Sequence, residues 1–131
     1  VVVDAIRAGL VAACQDISDG GMAVALAEMC LGPFGRGDVG ADVEIGAIAG
    51  ELRADRALFS ESSGYVVEVR AGGEERFEAL CRERGVEPLR LGMTGDAAAL
   101  RIELNGAEIV NLPTRVMADE WLNALARMMQ S

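Results

Sequence analysis

The sequence predicts an α+β domain in which helices are layered on a mixed, partly antiparallel sheet. Three observations carry this reading. Stretches with helical apolar spacing alternate along the chain with stretches of period two, so helices and strands are interspersed. Asn105-Gly106 stands between two alternating runs, a strong signal for a hairpin, and a hairpin is antiparallel. Apolar residues make up 51% of the 131 positions, enough to build one core. A chain of this size buries roughly two-thirds of the surface it exposes when unfolded.

Each element has its own warrant. Val2, Val3, Ile6, Leu10 and Val11 follow helical spacing, which predicts an amphipathic helix over residues 1–12. Cys14 to Ile17 reads as a short buried strand or extended segment, and Ser18-Asp19-Gly20-Gly21 interrupts it. Met22, Ala25, Leu26 and Met29 then recur at i, i+3, i+4 and i+7, the mark of a second helix. Gly32 to Gly40 is loop. Alternation resumes at Ala41–Ile45, a strand with one wet face. Residues 51–59 read as a weaker helical turn, and Tyr65–Val69 as the best strand in the chain. Glu74–Arg84 is a helix with Phe77, Leu80 and Cys81 inward and Gly85 as its stop. Leu89–Met93 is expected as a strand, followed by the hairpin of 99–104 and 107–110. Pro113 opens a last helix that places Met117, Trp121, Leu122, Leu125 and Met128 on one face, with Trp121 expected in the core.

Charge narrows the chemistry. Acids outnumber bases 21 to 12, and every base is arginine, giving a net charge of −9. Nucleic-acid backbones and anionic membrane surfaces are excluded as partners on that balance. The longest apolar runs fall well short of the roughly 20 residues a membrane span needs. With no histidine the usual general base near neutral pH is missing, and no hydrolase triad can be assembled within the chain. With no lysine there is neither a P-loop lysine nor a Schiff base. Any phosphate must therefore be met by backbone N–H groups at a helix start, by arginine, or by a metal held on carboxylates. Cys14, Cys30 and Cys81 are unclustered among apolar neighbours, which fits reduced, buried thiols in a cytoplasmic protein. The chain opens on Val1-Val2-Val3 with no methionine and enters a helical pattern at once, as a piece of a longer polypeptide would.

Two motifs could carry chemistry. In Asp16-Ile17-Ser18-Asp19-Gly20-Gly21, carboxylates and a hydroxyl run from a buried strand into a helix start, where glycines admit a ligand to the backbone. Asp16 is the candidate Mg²⁺ ligand there, since Mg²⁺ takes one or two protein carboxylates plus phosphate oxygens. Ser18, Gly20 and Gly21 are the candidate nucleotide contacts. The structural alternative is that Ser18 or Asp19 simply caps the helix and the glycines allow close packing. In Ser60-Glu61-Ser62-Ser63-Gly64, hydroxyls and a carboxylate precede a buried strand, so Glu61, Ser62 and Ser63 are candidate substrate contacts; an ordinary polar turn is the alternative. Asp38, Asp42 and Glu44 read as a solvated loop and strand face, and Glu78 with Arg82 as helix surface pairing.

Taken together, these motifs resemble a known family. Gln15-Asp16-Ile17-Ser18-Asp19-Gly20-Gly21-Met22-Ala23-Val24-Ala25-Leu26-Ala27-Glu28-Met29 is similar to a signature of the last domain of phosphoribosylformylglycinamidine synthases. Ala57-Leu58-Phe59-Ser60-Glu61-Ser62, followed by Tyr65-Val66-Val67-Glu68-Val69, resembles that family's second signature. The likeness covers nearly the whole chain and implies the C-terminal domain of the second of two pseudo-equivalent halves. Aminoimidazole ribonucleotide synthase and thiamine-monophosphate kinase belong to the same superfamily and are the alternatives within enzymes. A nucleotide-binding or interaction module without turnover is the alternative outside them.

The resemblance implies an ATP-dependent ligase of purine biosynthesis that converts formylglycinamide ribonucleotide and ammonia to formylglycinamidine ribonucleotide. It implies Mg²⁺ and ATP held mainly by domains outside this chain, and a glutaminase and a small accessory subunit as partners. By pseudo-symmetry it implies that Asp16 corresponds to a metal ligand and Glu61-Ser62-Ser63 to a substrate-contacting run, with no catalytic residue in this chain. Two departures stand out. Gln15 occupies a position where the family usually has histidine, and Gly64 runs directly into Tyr65 where a basic residue is common.

Overall fold

A computed structural model describes residues 1–35 and 39–130. In chain order it contains α1 (Val2–Arg7), β1 (Val11–Asp16), α2 (Gly21–Leu31), a 3₁₀ turn (Pro33–Gly35), β2 (Gly40–Glu44), α3 (Gly46–Ala49), α4 (Ala54–Phe59), β3 (Tyr65–Val69), α5 (Glu74–Glu83), β4 (Gly92–Gly95), β5 (Ala99–Leu104), β6 (Ala107–Pro113) and α6 (Thr114–Gln130). The α+β class holds, and the strands divide into two sheets. β1 and β3 pair antiparallel, while a four-stranded sheet runs in the order β4-β2-β5-β6. Within the larger sheet β2 and β5 are parallel and the other two pairings antiparallel, so the sheet is mixed as expected. Thr94 on β4 donates its hydroxyl to Glu68 on β3 at 2.7 Å, tying one sheet to the other.

α2 organises the main core. Its sequence is apolar nearly all round, as befits a helix buried on several sides. Met22, Ala25, Leu26, Cys30 and Leu31 pack with Val43 and Ile45, with Leu100 and Ile102, and with Ala57, Leu58 and Val66. Period-two alternation sorts β5: Leu100 and Ile102 point into this core, while Arg101 faces water and pairs with Asp42 and Glu108, each at 3.1 Å. The same alternation sends Val67 and Val69 of β3 to the opposite side. There they join a smaller cluster of Ala5, Leu10, Phe77 and Cys81 under α1 and α5.

Several elements differ from the sequence reading, each for a local reason. The first helix stops at Arg7, not residue 12, because Gly9 adopts φ +72. Gly9 N–H then donates to the Ile6 carbonyl and Leu10 N–H to the Ala5 carbonyl, the paired bonds of a Schellman ending. The freed residues begin β1 at Val11, and this strand, expected to be buried, is at most half-buried along its length because it pairs only with β3. The weak turn expected at 51–59 is the short helix α4, and a further short helix, α3, precedes it and ends at Gly50, which takes φ +55. The strand expected at Leu89–Met93 lies instead at Gly92–Gly95, where Gly92 pairs with Val43 and a side chain would strike the Asp42 backbone. Pro113 ends the edge strand β6 and α6 begins after it, at Thr114. Asn105 and Gly106 take φ +51 and +81, the two left-handed positions of the expected tight turn.

The largest correction concerns α6. Thr114 and Met117 are buried, but Trp121 is 58% exposed, and Leu122 and Leu125 are exposed with it. A 17-residue helix extends about 25 Å. Beyond Ala118 the described residues beneath α6 leave most of its apolar face exposed.

Candidate functional site

The two motifs meet at one end of the β1–β3 pair. Asp16, the last residue of β1, is registered opposite Tyr65, the first of β3. Ile17 N–H donates to the Gly64 carbonyl at 2.9 Å, extending the pairing into both loops. The chain then turns through Gly20 (φ +83) into α2, and the Gly20 N–H donates to Glu61 Oε1 at 3.4 Å, a long bond that crosses from one motif to the other.

Gly21 sets how close the motifs can come. It has φ +69, and a Cβ there would lie 2.7 Å from both the Leu58 carbonyl oxygen and the Phe59 carbonyl carbon. The start of α2 therefore rests directly on the backbone at the end of α4, a contact that no residue with a side chain permits without displacement.

The structural alternative for the first motif holds in one half: Gly21 does allow close packing, here of α2 on the end of α4, but the side-chain cap is not made. Neither Ser18 nor Asp19 caps α2: the cap position is Gly20, with no side-chain cap hydrogen bond, and Gly21 N–H is taken by the Ser18 carbonyl at 3.0 Å. Asp16, Ser18, Asp19, Glu61, Ser62 and Ser63 are all exposed around the turn, while Gly20 is half-buried and Gly21 buried. Phe59 and Tyr65, which flank the second motif, are exposed as well. The result is an edge of carboxylates and hydroxyls around a helix start that lacks a side-chain cap. Burial, and then the nearby Asp16 carboxylate, push the Cys14 thiol above its ordinary pKa. Burial likewise raises Cys30 and Cys81, and all three cysteines are free thiols, as expected.

The donor set is hard oxygen throughout, which suits Mg²⁺. Among the described residues no three His, Cys, Asp or Glu side chains gather as a metal-holding group, so the chain offers isolated carboxylates, Asp16 foremost.

Several residues had been read as plain surface or left without a role. Glu44 is a clamp: its carboxylate accepts backbone N–H groups of Gly46 (2.6 Å), Asn105 (3.0 Å) and Gly106 (3.1 Å). Those bonds hold its pKa below the usual carboxylate range, Gly106 contributing most. A positive-φ Asn-Gly turn needs acceptors for its N–H groups, and that need was the available signal. Asp42 pairs with Arg101 and Glu78 with Arg82; Asp38 lies outside the described residues. Gln15 donates its amide to Glu28 at 2.6 Å. Glu28 lines two grooves, one of about 430 Å³ between α2 and α6 and one of about 410 Å³ beside β1, both bordered by Trp121. Neither groove includes the glycine turn. No helix among the described residues is long and apolar enough to cross a membrane.

Comparison with known proteins agrees with this architecture. Residues 1–105 match the family model "AIR synthase related protein, C-terminal domain". The phosphoribosylformylglycinamidine synthase subunit PurL of Methanothrix thermoacetophila is 38% identical over 131 residues, covering 98% of this chain and 16% of the relative. The corresponding subunit of Moorella thermoacetica is 37% identical over 130 residues, covering 98% and 17%. That of Thermobifida fusca is 42% identical over 107 residues, covering 81% and 13%. Thermotoga maritima PurL complexed with ATP superimposes with a TM-score of 0.75 at 19% identity, covering 88% of this chain and 20% of that one, which shows the shared fold. The PurLQS structure from the same organism superimposes with a TM-score of 0.73 at 20% identity and the same coverage. The chain thus spans about one-sixth of the length of the first two curated relatives. From the family model, over most of its length, the chain belongs to the AIR synthase related protein family as a C-terminal domain of that type.

Proposed function

We propose that residues 1–131 form a single domain, the C-terminal domain of the second half of a larger ATP-dependent ligase. That ligase converts formylglycinamide ribonucleotide and glutamine-derived ammonia to formylglycinamidine ribonucleotide, ADP and phosphate in de novo purine synthesis. The observation that carries this reading is the convergence of both family motifs at one edge, through Gly21 on the Leu58–Phe59 backbone and Gly20 N–H on Glu61. The PurL relatives and the ATP complex of a protein with the same fold support it.

In this reading Asp16 would hold Mg²⁺, and Ser18, Gly20 and Gly21 would present the helix start to a nucleotide phosphate. Glu61, Ser62 and Ser63 line the substrate side. The metal supplies charge neutralisation for phosphoryl transfer to the amide oxygen. This chain's own residues position and bind; none of them is the base. The partners are the remaining synthase domains, a glutaminase subunit and a small accessory subunit, and the setting is cytoplasmic. The test is an amidation assay. A longer synthase polypeptide containing this chain should form formylglycinamidine ribonucleotide with ATP and ammonia, and residues 1–131 alone should form none. Turnover by the isolated chain would refute the partial-enzyme reading, and inactivity of the longer one would refute the assigned reaction.

A further inference from the structure

We propose that the groove between α2 and α6 is the docking site for a helix from the rest of the larger synthase polypeptide, one carrying an apolar stripe and a basic residue that pairs with Glu28. The inference rests on reading the chain as one domain of that synthase. Its first support is the α6 face itself. Trp121, Leu122 and Leu125 stand exposed together on one face of α6. A contiguous apolar face of this kind marks an interaction site. The adjoining groove, about 430 Å³, is walled by Val24, Leu31, Leu112, Val116 and Trp121.

Charge then selects the occupant. Among the described residues, Glu28 and Glu120 are the charged ones lining the groove, and none of those lining it is a base. Glu120 is already paired with Arg127 at 2.9 Å. Glu28 is half-buried and accepts from the neutral amide of Gln15. Any segment that covers the groove strips water from the Glu28 carboxylate, a costly step unless a cation arrives with it. A second copy of this chain fits poorly: it carries a net charge of −9, and an isologous contact would face the same acidic groove with itself. The relatives supply the alternative source, since the region matching this chain is joined to about five times as much polypeptide in them.

Trp121 is the sole tryptophan, so its emission reports on the groove directly. Residues 1–131 are titrated with three designed helical peptides of about 15 residues. They share one leucine stripe and differ only in carrying lysine, serine or glutamate beside it. The expected result is a saturable blue shift with the lysine peptide, weaker binding of the serine peptide and none of the glutamate peptide. Affinity for the lysine peptide should fall about tenfold in Glu28→Gln. Equal affinity for all three peptides overturns the proposal, whatever the variant's own stability. So does an unchanged affinity in a folded Glu28→Gln protein. A concentration-dependent dimer with blue-shifted Trp121 emission in the absence of peptide assigns the face to a second copy instead. Binding to zwitterionic vesicles in preference to the lysine peptide assigns it to a lipid surface. Amidation by the longer synthase is read separately: its absence sinks the functional reading, whereas a Glu28→Gln synthase with full activity and unchanged domain association sinks the docking alone.

Discussion

The two flanks of α2 are packed in opposite ways. At its N-terminal end the contact is backbone on backbone: Gly21 lies against Leu58 and Phe59, and the side chains left over are the polar ones of Asp16, Ser18, Glu61 and Ser62 with the rings of Phe59 and Tyr65 beside them. Along the flank facing α6 the contact is made by large apolar side chains, and those left over are Trp121, Leu122 and Leu125. The first arrangement is closed as a structure and open to a small ligand. The second is unfinished as a structure. An exposed carboxylate costs nothing in water, whereas an exposed apolar helix face forgoes the burial that stabilises most helices.

Gly21→Ala gives the largest effect this contrast predicts. The added methyl must displace backbone of α4 while occupying a positive φ, so unfolding in denaturant should show a loss of roughly 3 kcal/mol. A loss below about 0.5 kcal/mol would mean that α2 and α4 are not in backbone contact, and the closed end of the comparison would fail.

Acid should loosen a third region by a smaller amount. Three backbone N–H groups lower the Glu44 pKa in the folded protein, whereas an unfolded glutamate titrates near about 4.3. The stabilisation is complete above that pH and is lost as pH falls through the lower, folded value. The wild-type Tm should therefore fall more steeply on acidification below about 4.3 than the Tm of Glu44→Gln, which has no proton to gain. Parallel Tm–pH curves would remove the clamp.

At the open flank the expected effect is smaller still. Leu125→Gln keeps a good helix former at an exposed position, so stability should change by no more than about 0.5 kcal/mol. A loss of several kcal/mol would show that the face is already covered in the isolated chain, and the contrast between the flanks would collapse.

Local signals were legible in the sequence where one residue type has few conformational options. Asn105-Gly106 demanded a tight turn, Gly20-Gly21 a sharp entry into α2, and the β3 run a strand, and each is present, although Val66 is the one buried residue of β3. What depended on a partner element was not legible. The apolar spacing of α6 predicts a buried face but contains no information on whether the body beneath is long enough to cover it. The division of six strands into two sheets depends on pairings between segments far apart, such as Val43 with Ile102. The clamp at Glu44 required the Asn105-Gly106 turn to arrive beside β2 from 61 residues away. The motif residues were found because they are contiguous; their meeting across the β1–β3 end was visible only in three dimensions.

The measurement closest to the central claim compares wild type with Asp16→Asn in the intact synthase, reading Mg²⁺-dependent nucleotide binding and Tm together. Asp16 is exposed at the end of β1. The account therefore predicts that binding is abolished while Tm stays nearly unchanged. Retained binding with a large fall in Tm would show that Asp16 serves the fold, and the glycine-turn edge would lose its place as the ligand site.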